Sequence, residues 1–302
     1  MNKLAQWVLN IVAGIFFFFL FLILFFPLDS IARHFLSQVE VASKGAYRIT
    51  VGEMDPNVLF KSVFKNFQVH RVGKGSSQLI ADIPELKIGV SYLALIGGTV
   101  KASFVASGRK GEMEGDLILS QNEVHLDSEM DGFSLQNVPY LSDLLTVPLE
   151  GRLDGKADVD FFSKQMNKNR AKIDLKLQEF RIPASKVTPY PGVDLDLPET
   201  NLSGKGGAFK VALEKGKLTI DQFALPGEDL SVNVSGSIQL SPRFPLSRLN
   251  LEGNFRVSDK ISQAIPLLVV IEKQKGEDGS YPVTITGRFN RPSLTIGTFE
   301  VL

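Results

Sequence analysis

Leu4 to Phe26 runs for 23 residues without a charge, and this stretch limits where the chain can live more than any other feature does. At about 1.5 Å per residue, such a helix crosses a hydrocarbon layer of about 30 Å with some tilt. Eight phenylalanines fall within the first 35 residues. Trp7 lies where an indole suits one membrane interface, and Pro27 stops the helix at the other. A cleaved signal peptide would have a shorter apolar region, about 7–15 residues, and a small-x-small site after it. Pro27, Leu28, Asp29 and Ser30 do not supply one. The expectation is a retained anchor over residues 1–29, with Leu4, Trp7, Ile11, Phe16, Phe19, Phe21, Leu24 and Phe26 in the bilayer. Lys3 and the terminal amine precede the span, while Asp29 and Arg33 nearly cancel after it. The positive-inside rule then keeps the N-terminus in the cytoplasm and exports the rest. In a bacterium with two membranes this is an inner-membrane, single-pass protein with its bulk in the periplasm. Residues 30–45 carry Ile31, Phe35, Leu36 and Val39 at helical spacing. They fit a juxtamembrane helix, either lying on the bilayer or packed on the following domain.

The remaining composition removes several functions. With 33 basic and 33 acidic residues the chain lacks the cationic excess that nucleic-acid binding draws on. It has no cysteine, so disulfides, thiolate metal sites and cysteine nucleophiles are out. His34, His70 and His125 are too far apart to form a metal-binding motif.

From Tyr47 onward the hydropathy period is two. Leu153, Gly155, Ala157, Val159 and Phe161 alternate with Arg152, Asp154, Lys156, Asp158 and Asp160. Ala171, Ile173, Leu175 and Leu177 do so against Lys172, Asp174, Lys176 and Gln178. Such alternation places one face in apolar contact and the other in water. Val232, Val234 and Ile238 continue the apolar set. Further strands are expected at 47–51, 67–72, 85–90, 98–106, 111–119, 123–130, 209–213, 218–223, 230–240, 249–257 and 283–289, separated by Gly, Asn and Asp turns. Helices are expected at 136–145, capped by Asn137, and at 259–275, capped by Ser258 and broken at Pro266. Residues 183–198 hold four prolines and read as a connection crossing the sheet, between a first β half (46–182) and a second (199–302). The fold class is therefore mainly β: a transmembrane helix, then a curved, meandering antiparallel sheet, an open trough or β-sandwich-like, with a few short helices. Gly155, Gly236, Gly253 and Gly287, each inside a strand, allow the bending.

Catalytic signatures are absent: there is no nucleophile elbow, phosphate loop, His-Glu-x-x-His or dinucleotide fingerprint. Asp194 with Asp196, and Asp158 with Asp160, read as solvated charge on one strand face. His125 falls on a polar face and reads the same way. The sequence offers no catalytic, metal-binding or cofactor-binding residues, and the chain is read as a non-enzyme.

Three features in order point to a family. An apolar span is followed by a strand at 58–71 containing Asn66-Phe67. Glycine-centred alternating strands come next, and the chain closes with Thr286-Gly287, then Arg291-Pro292 and a last strand. This resembles the N component of the type II (general) secretion pathway in its longer, single-span form. It is also similar to the broader AsmA-like group of membrane-anchored periplasmic β proteins. The resemblance implies a scaffold or assembly role and partners among other inner-membrane secretion subunits, with no catalytic residues to carry over. The alternative it implies is an AsmA-like lipid-binding or lipid-transfer protein, with phospholipid held on the apolar sheet face.

Overall fold

The structure is a computed structural model that describes residues 40–41, 43, 45–55, 61–73, 76–91, 99–120, 122–162, 165–190, 193–204 and 206–301. The expected anchor at 1–29 and most of the juxtamembrane segment lie outside these residues. Among the described residues no helix is long and apolar enough to cross a membrane.

The chain is mainly β, with a large antiparallel sheet and few, short helices. Strands β1 (Tyr47–Thr50) and β2 (Glu53–Asp55) are followed by β3 (Ser62–Val72), β4 (Ser77–Val90) and β5 (Val100–Ser107). Then come β6 (Glu112–Leu119), β7 (Glu123–Ser134), β8 (Glu150–Phe162) and β9 (Arg170–Ile182). After β10 (Ser185–Tyr190), β11 (Val193–Leu197) and β12 (Thr200–Asn201) the meander resumes with β13 (Gly207–Glu214), β14 (Lys217–Leu225) and β15 (Leu230–Gln239). It ends with β16 (Arg248–Val257), β17 (Tyr281–Arg288), β18 (Arg291–Ile296) and β19 (Phe299–Glu300). Helix α1 (Pro139–Leu145) lies between β7 and β8, and α2 (Asp259–Ala264) follows β16.

Seventeen strands form one sheet. β1 and β2 both pair with β3, and each later strand to β9 pairs with its neighbour in sequence. β9 then pairs with β12 and β13, and the ladder continues strand by strand to β19. The β9–β13 ladder, with Leu175 opposite Phe209 and Ile173 opposite Val211, joins the two β halves directly. The proline-rich segment between them is not a bare connection. Its arms pair as the β10–β11 hairpin, a separate two-stranded sheet. Val193, Leu195 and Leu197 alternate with Asp194 and Asp196, a strand signal that the surrounding prolines mask in the sequence.

The helices differ from expectation at their starts. Asn137 closes a short 3₁₀ turn (Leu135–Asn137), and α1 begins two residues later without a side-chain cap. The fully buried Asn137 carboxamide oxygen instead accepts the Arg109 backbone N–H at 3.2 Å, which ties the β5–β6 turn to the segment before α1. The second helix keeps the expected cap, with Ser258 Oγ accepting the Ile261 N–H at 3.5 Å. It stops at Ala264, and the chain goes on from Pro266 to Gln274 as 3₁₀ helix, because Pro266 has no N–H for the α ladder.

Two hydrophobic clusters form the core. One gathers Leu135, Leu175, Leu177, Phe180, Leu202 and Leu225, with Leu141, Leu149 and Phe209 packed against it. The other gathers Phe64, Leu86, Ala106 and Phe133, with Phe67, Phe104 and Val138. Met130 packs against both. Phe133 and Leu135 stand two residues apart in the chain yet belong to different clusters, so the stretch from the end of β7 through α1 is the element that links them. Each fully buried Leu or Phe contributes about 1.5–3 kcal/mol relative to leaving it exposed.

Candidate functional site

The register turns the apolar alternation into rows. Residues directly opposite on antiparallel strands share a face. Ala157, Ile173, Val211, Ile220, Gly236, Leu251, Ile285 and Leu294 lie opposite one another in turn across eight adjacent strands, β8 to β18. The next row runs Gly155, Leu175, Phe209, Phe223, Val234, Gly253, Val283 and Ile296. Val159 heads a third row that includes Ala171, Leu213, Leu218, Ile238 and Leu249. Leu153 pairs with Leu177, and Val232 lies opposite Phe255. The sheet-face residues named from the sequence thus share one face. Phe161 opposes Val124 at the end of the strand and is exposed.

Burial along these rows is uneven. At β8, β9 and β13 the face is more deeply covered: Ala157, Leu175, Leu177 and Val211 are each 9% exposed or less, while Leu153, Val159, Ile173, Phe209 and Leu213 are half-buried. Leu135, Leu141 and Leu149 pack in one cluster with Leu175, Leu177 and Phe180 of β9. From β14 to β18 the same face is half-buried, as at Ile220, Phe223, Val234, Ile238, Leu249, Leu251, Ile285 and Leu294. Glycines sit within the apolar rows. At Gly155, φ is +134° and an added Cβ would lie 2.1 Å from the Asp174 carbonyl oxygen. Gly236 has φ +135°, and an added Cβ there would lie 2.3 Å from the Asn250 carbonyl oxygen across the β15–β16 ladder, so at both glycines the neighbouring backbone leaves no room for a side chain.

A polar cleft of about 350 Å³ opens where β8 and β9 bulge. Glu179 sits in the left-handed region at φ +53°, and the register shifts between Glu150 and Arg152. Arg181 pairs with Glu150 at 2.7 Å and with Glu199 at 3.2 Å, and Arg152 pairs with Glu179. The hydroxyls are engaged: Ser203 Oγ accepts the Phe180 N–H at 2.8 Å, and Ser134 Oγ accepts the Gln136 N–H at 3.3 Å. Charges here neutralise one another, and no base stands beside either hydroxyl to activate it.

On the outer face, His125 of β7 lies opposite Asp160 of β8, with Nδ1 and Oδ1 2.7 Å apart. The expectation that Asp160 stands alone in solvent is therefore corrected. The spacing that hid the pair is cross-strand, 35 residues in sequence. The hydrogen bond to Asp160 raises the His125 pKa above its ordinary value; partial desolvation opposes this, and the charges of Asp160, Asp158 and Asp127 add to the rise. Ligand atoms of His125, Asp158 and Asp160 lie within 4.8 Å of one another on this exposed face.

The motifs that carry the family resemblance have plain backbone roles. Asn66 adopts the left-handed region at φ +51° beside Gly52, where β2 meets β3, and Phe67 packs on the second core cluster. Gly287 and Pro292 face each other across the β17–β18 hairpin. No family model, curated protein or solved structure matches the chain.

Proposed function

We propose that this chain is a membrane-anchored, extracytoplasmic scaffold component of a type II protein secretion apparatus, acting through its sheet without a catalytic step. The order of an apolar span, a meandering antiparallel sheet and the closing Gly287–Pro292 hairpin supports the family reading. One observation carries the choice of scaffold over conduit. A conduit needs an apolar face open along its length, whereas here Leu135, Leu141 and Leu149 pack in one cluster with Leu175, Leu177 and Phe180 and cover part of that face at β9. The partners on this reading are other inner-membrane subunits. The test is affinity purification of the full chain from mildly solubilised membranes, with proteins and lipids both identified. Recovery of secretion-apparatus subunits supports the scaffold; their absence, with phospholipid retained, refutes it.

A second reading has its own support. The half-buried apolar rows from β14 to β18 are long enough to receive an acyl chain, so lipid binding confined to that stretch is the alternative.

A further inference from the structure

The outer face of β14–β18 ends in a strip of cations. Lys217 lies opposite Gln239, Gln239 opposite Arg248, Arg248 opposite Arg288, and Arg288 opposite Arg291. With strands about 4.8 Å apart, the strip extends for about 19 Å. All four cations are exposed. Glu214 lies opposite Lys217 across the β13–β14 ladder, but none of the three arginines forms an ion pair with a carboxylate among the described residues, and neither does Arg243 in the adjoining loop. The next row inward, Thr219, Ser237, Asn250, Thr286 and Ser293, is uncharged and rich in hydrogen-bonding groups. Like charges directly opposite each other weaken a sheet, and no ion pair among the described residues offsets the cost of three neighbouring arginines. An anionic partner would offset it.

Beside the strip is an exposed apolar tip. Phe244 and Phe289 are 53% and 49% exposed, and their ring centroids are 4.6 Å apart. Leu246 is exposed next to them. The β15–β16 loop is held against the β17–β18 turn by two backbone bonds, Phe289 N–H to the Ser247 carbonyl at 2.9 Å and Asn290 N–H to the Pro245 carbonyl at 3.0 Å. The tip is therefore a fixed part of the fold. A nucleic-acid duplex would use the cations and leave the aromatic pair in water. A bilayer surface takes both, with aromatic rings in the interfacial layer and cations on the headgroups.

We propose that this strip and tip form a docking surface for an anionic lipid bilayer, with Arg248, Arg288 and Arg291 on the headgroup phosphates and Phe244, Leu246 and Phe289 at the acyl boundary. The inference rests on this face alone.

The chain has no cysteine, so Leu246→Cys supplies a single labelling site. The full chain, carrying an environment-sensitive fluorophore there, is placed in phosphatidylcholine nanodiscs and mixed with vesicles. In parallel it is placed in nanodiscs that themselves contain phosphatidylglycerol. Fluorescence is expected to rise with phosphatidylglycerol, in the same disc or in added vesicles, and to stay flat with phosphatidylcholine alone. Each cation removed is expected to weaken the response about fivefold, so Arg248→Gln/Arg288→Gln/Arg291→Gln loses on the order of 100-fold. The matching triple Arg→Lys variant keeps the charge and is expected to retain the response. Equal signals from neutral and anionic lipid, an unchanged glutamine variant, or a response to polyglutamate but not to lipid would each overturn the proposal. The last of these would assign the face to an acidic protein.

Discussion

At the scale of single residues, the two sheet faces differ in what they tolerate. Leu175 is buried between Gly155 and Phe209, whereas Lys172 stands on the outer face opposite Asp158. Leu175→Asp would bury an unpaired carboxylate and is expected to cost on the order of 3–5 kcal/mol. Lys172→Asp is expected to cost less than about 1 kcal/mol. Urea melts of the full chain in detergent micelles read both, and equal losses would mean that the register is misassigned. His125 supplies a pH-dependent counterpart. Its pKa is raised in the folded chain, so the protonated His125–Asp160 pair stabilises the fold fully below about pH 6.5, and that contribution fades as pH rises through the folded value. Proton NMR should find the His125 midpoint above that of an unstructured peptide. Asp160→Asn should bring it back down, and an unmoved midpoint would show that the hydrogen bond is not what raises it.

Among the elements, the strands were the most legible in the sequence, because alternation in β8, β9, β15 and β16 is nearly unbroken over ten or more residues. The β10–β11 hairpin was not, since its flanking prolines outweigh five alternating residues. The linking role of residues 133–149 was also hidden: the helix at 139–145 could be read from its spacing, but not that Phe133 and Leu135 would face different clusters. Likewise the arginine strip exists only once register sets Arg248, Arg288 and Arg291 side by side. The strand glycines, by contrast, could be picked out at once, and the structure gives a way to separate their two roles. Gly155 and Gly206, the latter just before β13, both have positive φ, at +134° and +126°, but a Cβ at Gly206 would meet nothing within 4 Å. Gly206→Ala should cost only the conformational strain, about 1–2 kcal/mol. Gly155→Ala should cost clearly more, because its Cβ meets the β9 backbone. Thermal melts of the two variants check this, and similar losses would show that close strand approach at Gly155 does not matter.

For the whole molecule, one continuous sheet carries two different surfaces on the same chain. Its inner face is most deeply buried at β8, β9 and β13, where Leu135, Leu141 and Leu149 pack with Leu175 and Leu177, and is half-buried from β14 to β18. Its outer face is charged, with most of its ion pairs exposed, such as Lys156–Glu129 and Lys210–Asp174, each worth about 0–1 kcal/mol. Stability therefore comes from the inner face, and the outer face is free to be shaped by partners. The proposed scaffold role would account for this division, because the most deeply buried apolar residues pack within the chain's own clusters. The decisive measurement is native mass spectrometry of the full chain released from nanodiscs made of its own cell membranes. The scaffold account predicts the chain in complex with secretion-apparatus subunits and without a fixed complement of phospholipid. A chain free of such subunits that retains phospholipid at constant stoichiometry through delipidation would contradict it.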